Sequence, residues 1–305
     1  MALSYTELSA TTQETFIPML VDNVFNSNSL LQRMRKNSYK ALSGGTRIVQ
    51  PVLYATTTAG GWYSGTDTLS TTANDQITAA EYEWGYRYEN ITIEHTAELQ
   101  NNGDAQVIEF VASKVQAAEL TMADALGTGL YNLGTTTDAI VGLRLAVDSA
   151  GTYGSIARGT YTWWSAQEDS TTTVLTMNAL QALYGDCTVG NDKPTVAMTT
   201  QDIYDDYVNL LTPQQRFTDD DTARGGFMNV MYNGIPMIVD SHVPASHLFM
   251  LNEKYLKLGY HPKDNFRFSP FVQPVDQAVA SAKIFWAGQL LCSNCRMQGK
   301  MNAIA

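Results

Sequence analysis

Residues 43–88 read SGGTRIVQPVLYATTTAGGWYSGTDTLSTTANDQITAAEYEWGYRY. Ile48, Val49, Val52 and Tyr54 stand at one end, and Tyr82, Trp84, Tyr86 and Tyr88 at the other, the second set alternating with the period of a strand. Between them ATTTAGGWYSGTDTLSTTAND, residues 55–75, holds almost no aliphatic side chain and is too polar to build a core of its own. The pattern predicts a two-stranded ribbon with a long polar tip. Such a ribbon is marginal in water unless something covers it, and the expected cover is another subunit.

Toward the N-terminus, Phe16, Met19, Leu20, Val24, Leu30, Leu31 and Met34 follow an irregular helical spacing broken around Asn26, Ser27 and Asn28. This predicts a short arm followed by one or two helical pieces. Toward the C-terminus, Asp104 stands as an N-cap ahead of Val107, Val111, Val115, Ala118, Met122 and Ala125, and Gly127 and Gly129 mark the expected end. A helix of that length runs on the order of 30 to 40 Å and can serve as the spine of the subunit.

The rest mixes short helices and strands. Pro194 to Met198 reads as a strand, Thr199 or Thr200 as an N-cap, and Ile203, Tyr204, Tyr207, Val208 and Leu211 as one face of a helix closed by Pro213. Phe227 to Tyr232 and Ile235 to Asp240 flank Asn233-Gly234, a pair that favours a type I′ hairpin turn. Lys283 to Ile304 is strand-like, with a turn at Cys292 to Cys295. No repeat, Pro-rich linker or charge block separates these zones, so they are expected to interlock.

Composition narrows the function classes. The 305 residues are 44% hydrophobic, enough for one sizeable core or two modest ones. No export signal opens the sequence, and no run reaches the roughly 18 apolar residues of a membrane span, so no membrane partner is expected. Cys187, Cys292 and Cys295 are too few for a disulfide framework and fit a reducing compartment. A net charge of −11 argues against gripping nucleic acid over a broad surface. The one local candidate for such contact is Arg33, Arg35, Lys36 and Lys40, whose bland reading is a solvated helix end.

Catalytic signatures are missing. There is no H-E-x-x-H, no G-x-S-x-G and no phosphate loop, and Gly127, Gly129 and Gly134 miss the dinucleotide spacing and sit at a helix end. Cys292-Ser-Asn-Cys295 is a lone C-x-x-C, with His95, His242, His247 and His261 at no zinc-site spacing from it. Asp202, Asp205 and Asp206 share a helix face that reads as solvated, and Asp219, Asp220 and Asp221 lack a calcium-loop spacing. No catalytic residue, metal or cofactor is therefore expected. The 16 Tyr and 5 Trp leave a sugar-binding surface open; at the adjacent Trp163 and Trp164, one ring should face inward and one outward.

The order of zones resembles the major capsid proteins of tailed bacteriophages, those with the Hong Kong 97-type α+β fold, over nearly the whole chain. Two segments carry the likeness. In AIVGLRLAVDSAGTYGSIARGTYTWW, residues 139–164, the matching positions are Gly142, Leu143, Tyr153, Gly154, Arg158, Trp163 and Trp164. In FMNVMYNGIPMIVDSHVPASHLFMLNEKYLKLGY, residues 227–260, they are Gly234, Pro236, Asp240, Leu251 and Asn252.

The resemblance implies an N-terminal arm and helix over 1–42, an E-loop over 43–90, a peripheral domain with the spine helix over 91–171, an axial domain over 172–245 and a return to the peripheral domain over 246–305. It implies a virion shell protein, not an enzyme, assembled in the host cytoplasm into hexamers and pentamers around double-stranded DNA. Its partners would be further copies of itself, a portal, a decoration protein and, since the chain begins almost at the arm, either a separate scaffolding protein or the arm itself in that role. Arg33, Arg35, Lys36 and Lys40 would touch the packaged DNA weakly, and Trp62, Tyr63, Trp84 and Tyr86 would make intersubunit E-loop contacts. Crosslinking members use an E-loop Lys, and residues 44–90 contain none, so a shell without that crosslink is expected. An encapsulin, a compartment of the same fold that holds cargo, is the nearest rival, and a carbohydrate-binding domain is the rival from another class.

Overall fold

A computed structural model describes residues 28–96, 104–134, 138–211 and 231–304, the side chains of 104–110 excepted. Helix α1, Ser29–Asn37, opens where Asn28 Oδ1 accepts the Leu31 N–H at 3.0 Å, and buries Leu30, Leu31 and Met34. The earlier part of the expected arm, with Phe16 to Val24, lies outside the described residues. Strand β1, Tyr39–Ala41, follows, and then Gly44 and Gly45 at φ 102° and 113°, a backbone that side-chain-bearing residues rarely adopt. These glycines turn the chain out into the ribbon.

Strands β2, Ile48–Leu53, and β3, Ile77–Tyr82, pair antiparallel from Ile48 opposite Tyr82 to Leu53 opposite Ile77. Ile48, Val52, Ala80 and Tyr82 are buried on one face, while Val49, Leu53 and Ile77 are exposed on the other. The expected alternation through Tyr88 does not hold as one strand. The chain breaks at Glu83 and Trp84, and β4, Gly85–Glu94, begins a separate strand, so Tyr82 and Trp84 are buried while Tyr86 and Tyr88 are exposed.

Helix α2, Asp104–Leu130, spans 27 residues, roughly 40 Å. It ends at Leu130, one residue past Gly129, close to the expected stop. Gly127 is there for space: a Cβ at 127 would lie 2.3 Å from Asn28 Nδ2 and 2.7 Å from the His242 ring. The one-turn helix α3, Leu143–Ala146, the hairpin of β5, Thr152–Tyr153, and β6, Ile156–Ala157, and strand β7, Gln167–Asp169, come next.

Then follow α4, Met177–Asp186, β8, Val196–Thr199, and α5, Gln201–Leu210, with Thr200 at the N-cap position and Ile203 and Tyr207 buried. Pro213, the expected stop of α5, lies outside the described residues. Strands β9, Met231–Tyr232, and β10, Ile235–Val239, form the expected hairpin, with Asn233 and Gly234 at φ 46° and 79° as a type I′ turn requires. Its expected start, Phe227 to Val230, is outside the described residues. The chain ends with β11, Leu248–Leu251, β12, Leu256–Phe268, β13, Val279–Cys292, and β14, Gly299–Met301. The long β12 was not expected, and β13 starts earlier than the expected Lys283.

Two sheets organise these strands. A four-stranded sheet runs β1-β12-β13-β4 and a six-stranded one β7-β14-β11-β8-β10-β9. Strands β8 and β11 are buried on both faces and so read as continuous apolar runs instead of alternating ones. Val196, Met198, Phe249 and Leu251 point into the larger core, which holds α2 and the four-stranded sheet; Ala197, Leu248 and Met250 point into the smaller one with Leu180, Ile203 and Tyr207. Strands β11 and β14 thus belong to the six-stranded sheet although they lie within residues 246–305.

The residues that carried the resemblance sit at junctions. A Cβ at Gly142 would lie 2.4 Å from the Asn132 nitrogen and 2.6 Å from the carbonyls of Gly129 and Leu130, so α3 can abut the end of α2 only through glycine. The buried Arg158 guanidinium donates to the carbonyls of Leu145, Ala146, Ala150 and Trp164 at 2.8 to 3.3 Å. Asn252 donates to the Lys193 carbonyl and accepts from the Lys254 N–H, pinning the turn between β11 and β12.

Candidate functional site

The thiols offer no reactive centre. Cys187, Cys292 and Cys295 are buried and unbridged. Burial pushes the Cys187 thiol up to about 12 and the Cys292 thiol well above its ordinary range, so neither is a thiolate at neutral pH. Cys295 Sγ lies 3.8 Å from an Arg158 nitrogen within the carbonyl cage, a packing role for the C-x-x-C turn. Among the described residues, no three His, Cys, Asp or Glu side chains converge to hold a metal. Asp202, Asp205 and Asp206 are exposed on α5, and Asp219 to Asp221 lie outside the described residues.

The distinctive surface is the ribbon. Of the expected E-loop contact residues, Trp62 is fully exposed and Tyr63 and Tyr86 are largely so. Trp84 is different: it is buried in its own chain, donates Nε1–H to the Gly45 carbonyl at 2.9 Å and meets the His261 ring edge-on at 5.7 Å. It anchors the base of the ribbon. The outward apolar face, with Leu53 and Ile77 paired across the strands and each 68% exposed, was missed. Its signal was in IVQPVL, where apolar residues occupy both parities, so both faces of the strand call for cover.

The basic cluster is divided in the same way. Arg33 makes a two-point pair with Glu253, Nε to Oε1 at 3.0 Å and the terminal nitrogen to Oε2 at 2.8 Å. Arg35, Lys36 and Lys40 are exposed, the first two in the last turn of α1, where cations suit the helix end.

A second polar junction had no sequence signal. His242 stands between two carboxylates, Nδ1 at 3.1 Å from Asp240 and Nε2 at 3.2 Å from Asp124 of α2. Asp240 is buried and also accepts from the backbone N–H groups of His242 and Leu30 and from the Tyr131 hydroxyl. Burial, and then Asp240, push the Tyr131 hydroxyl well above its ordinary range, so it stays a donor. These contacts tie α1, α2 and the segment after β10 together.

No protein-family model matches the chain, and no curated protein matches it in sequence. Solved structures do match in shape. The capsid asymmetric unit of cyanophage A-1(L) superposes with a TM-score of 0.64 at 16% identity, covering 90% of this chain and 92% of that one. The capsid of a native GTA particle gives 0.63 at 13% identity, covering 89% and 90%. The encapsulin of Synechococcus elongatus gives 0.56 at 13% identity, covering 90% and 87%. With a helix-and-sheet architecture that superposes on these shell subunits over nine-tenths of its length, the chain has the capsid fold of the tailed-phage major capsid proteins.

Proposed function

We propose that the chain is a structural shell subunit, a major capsid protein that self-assembles into the hexamers and pentamers of an icosahedral or prolate head around double-stranded DNA. The observation that carries this reading is the ribbon: an outlying two-stranded element whose apolar outer face its own chain leaves in water, on a fold shared with shell subunits. Residues 43–90 then act as the E-loop laid over a neighbour, 91–171 and 246–305 apart from β11 and β14 build the peripheral domain, and 172–245, joined by β11 and β14, the axial domain. Apolar area buried at about 25 cal/mol per Å² drives association. Each contact is modest, and closed symmetry multiplies the contacts into a stable shell.

The acidic balance keeps subunits soluble and limits sticking to DNA, leaving Arg35, Lys36 and Lys40 as the local genome contact. A portal, a separate scaffolding protein and a decoration protein complete the assembly, which takes place in the host cytoplasm and ends in the virion. The test is sedimentation and negative-stain microscopy of the protein expressed alone and then with its genomic neighbours. Capsomers, tubes or closed shells support the reading, and a monomer under both conditions overturns it. The likeness to the Synechococcus shell favours one second reading, an encapsulin compartment; particles that co-purify with a cargo enzyme and never with a portal would establish it.

A further inference from the structure

Where the ribbon strands end and the polar tip begins, a pocket of about 420 Å³ opens between the ribbon and the segment around the β5–β6 hairpin. Tyr54, Asp75 and Ile77 line it from the ribbon, and Ser155, Tyr161 and Trp163 from the other side. The second wall is held rigidly. Trp164 is buried and donates Nε1–H to the Tyr153 carbonyl at 2.9 Å, while the Arg158 cage fixes the backbone at Leu145, Ala146, Ala150 and Trp164. With Trp164 locked inward, its neighbour Trp163 turns to the pocket, where it stacks on Tyr54 at 5.4 Å. Tyr161 packs beside it, half exposed. Ser155 lines the same wall at φ 61°, a backbone state held only where the surroundings over-determine it.

Three aromatic rings and one exposed carboxylate in a preformed concavity match one ligand chemistry well. A cation gains from the ring π-density and from the Asp75 charge together. The nearest cation along the ribbon, Arg47, is already paired with Glu81 at 2.8 Å, and Arg158 is buried behind the wall among carbonyls.

We propose that this pocket is a docking site for a basic, extended segment of a partner protein, which seats an arginine or lysine side chain among Tyr54, Tyr161 and Trp163 with its charge toward Asp75. The charge balance of the chain, −11, favours a basic partner approaching this surface. The pocket's lining comes from one chain, but its ribbon wall belongs to the segment that the shell reading lays over a neighbour, so the site is tested on unassembled protein.

The experiment is fluorescence anisotropy of a labelled hexa-arginine peptide against the full chain at moderate salt. Asp75→Lys and Tyr161→Ala should each weaken binding roughly fivefold, whereas Asp205→Lys, a charge reversal on the exposed face of α5, should leave it unchanged. Equal weakening by Asp75→Lys and Asp205→Lys would reduce the binding to general electrostatics and overturn the proposal. So would a maltohexaose that binds with the same dependence on Asp75 and Tyr161. Asp75 is an exposed residue, so its variant tests the site even where a ring variant disturbs folding.

Discussion

Arg33 of α1 holds Glu253, in the turn between β11 and β12, through two hydrogen bonds at 3.0 and 2.8 Å. Glu253 also accepts from Asn37 and Thr195, so the pair joins α1 to the end of the six-stranded sheet. Two-point guanidinium–carboxylate pairs are stronger than ordinary surface ion pairs. Arg33→Ala is expected to lower stability by about 1 to 2 kcal/mol, read as a shift of the denaturant midpoint. The triple change of Arg35, Lys36 and Lys40 to Ala should cost less than Arg33→Ala. DNA retention should respond to the triple variant, and an effect confined to Arg33→Ala would remove the genome-contact reading.

The outer face of the ribbon should matter to assembly and not to the subunit. Leu53→Ser with Ile77→Ser replaces two exposed side chains that no core uses. Unfolding of the isolated subunit is expected to be unchanged within about 0.5 kcal/mol, while particle yield in sedimentation falls sharply. A loss of subunit stability equal to the loss of assembly would show that the face is not an interface.

Lys300 of β14 is buried between Asp148 at 2.8 Å and Glu168 at 3.0 Å, and its ammonium also reaches the Arg144 carbonyl at 3.3 Å. Removing one member of such a group strands the others without a counter-charge, which costs about 3 to 5 kcal/mol. Lys300→Ala should therefore be among the most damaging single changes in the chain by chemical denaturation. A cost below about 1 kcal/mol would mean that water replaces the ammonium freely.

Acid should act at Asp169. Hydrogen bonds from the Thr172 hydroxyl, and then from the backbone and side chain of Thr171, hold its carboxyl at about 2, against an ordinary 3.8. A depressed folded-state value means a contribution that is present above the ordinary value and lost as pH falls through the folded one. The difference in stability between the native chain and Asp169→Asn should close between pH 3.8 and about 2. Denaturant midpoints at several pH values measure this, and a difference that persists at the acid end would reassign the effect to packing.

Residues 44–90 contain no Lys, so the shell is expected to be free of the isopeptide crosslink found in crosslinking relatives of this fold. Denaturing electrophoresis of mature particles should give a single monomer band, and a covalent ladder would overturn the expectation.

Much of this architecture was readable because its signals are local. The ribbon, the spine helix and the Asn233-Gly234 turn each rest on periodicity or on a backbone state that few residues adopt. What escaped the sequence depends on contacts between distant segments. Gly127 reads as a helix stop from its neighbours alone, yet its missing side chain serves Asn28 and His242, more than a hundred residues apart from each other on the chain. Trp84 alternates with Tyr86 and Tyr88 in the sequence, and only the break at Glu83 turns it inward. Strand β12 hid for a third reason. Residues 261–264 interrupt its pairing with β13, and the register shift there scrambles the period-two pattern that would have marked a strand. Among the site residues, exposure followed composition at Trp62 and Tyr63, whereas the pairing of Arg33 needed Glu253 from the far end of the chain.

The six-stranded sheet is a party wall. Neighbouring residues on β8 and β11 alternate between the two cores, so neither side can loosen its packing without disturbing the other. Heat should dissolve both compartments in one step, and a push on one should be felt across the partition. A subunit built this way behaves as a stiff tile. When such tiles meet at differing angles, the adjustment falls to parts outside the wall, such as the ribbon's outward face, which neither core claims.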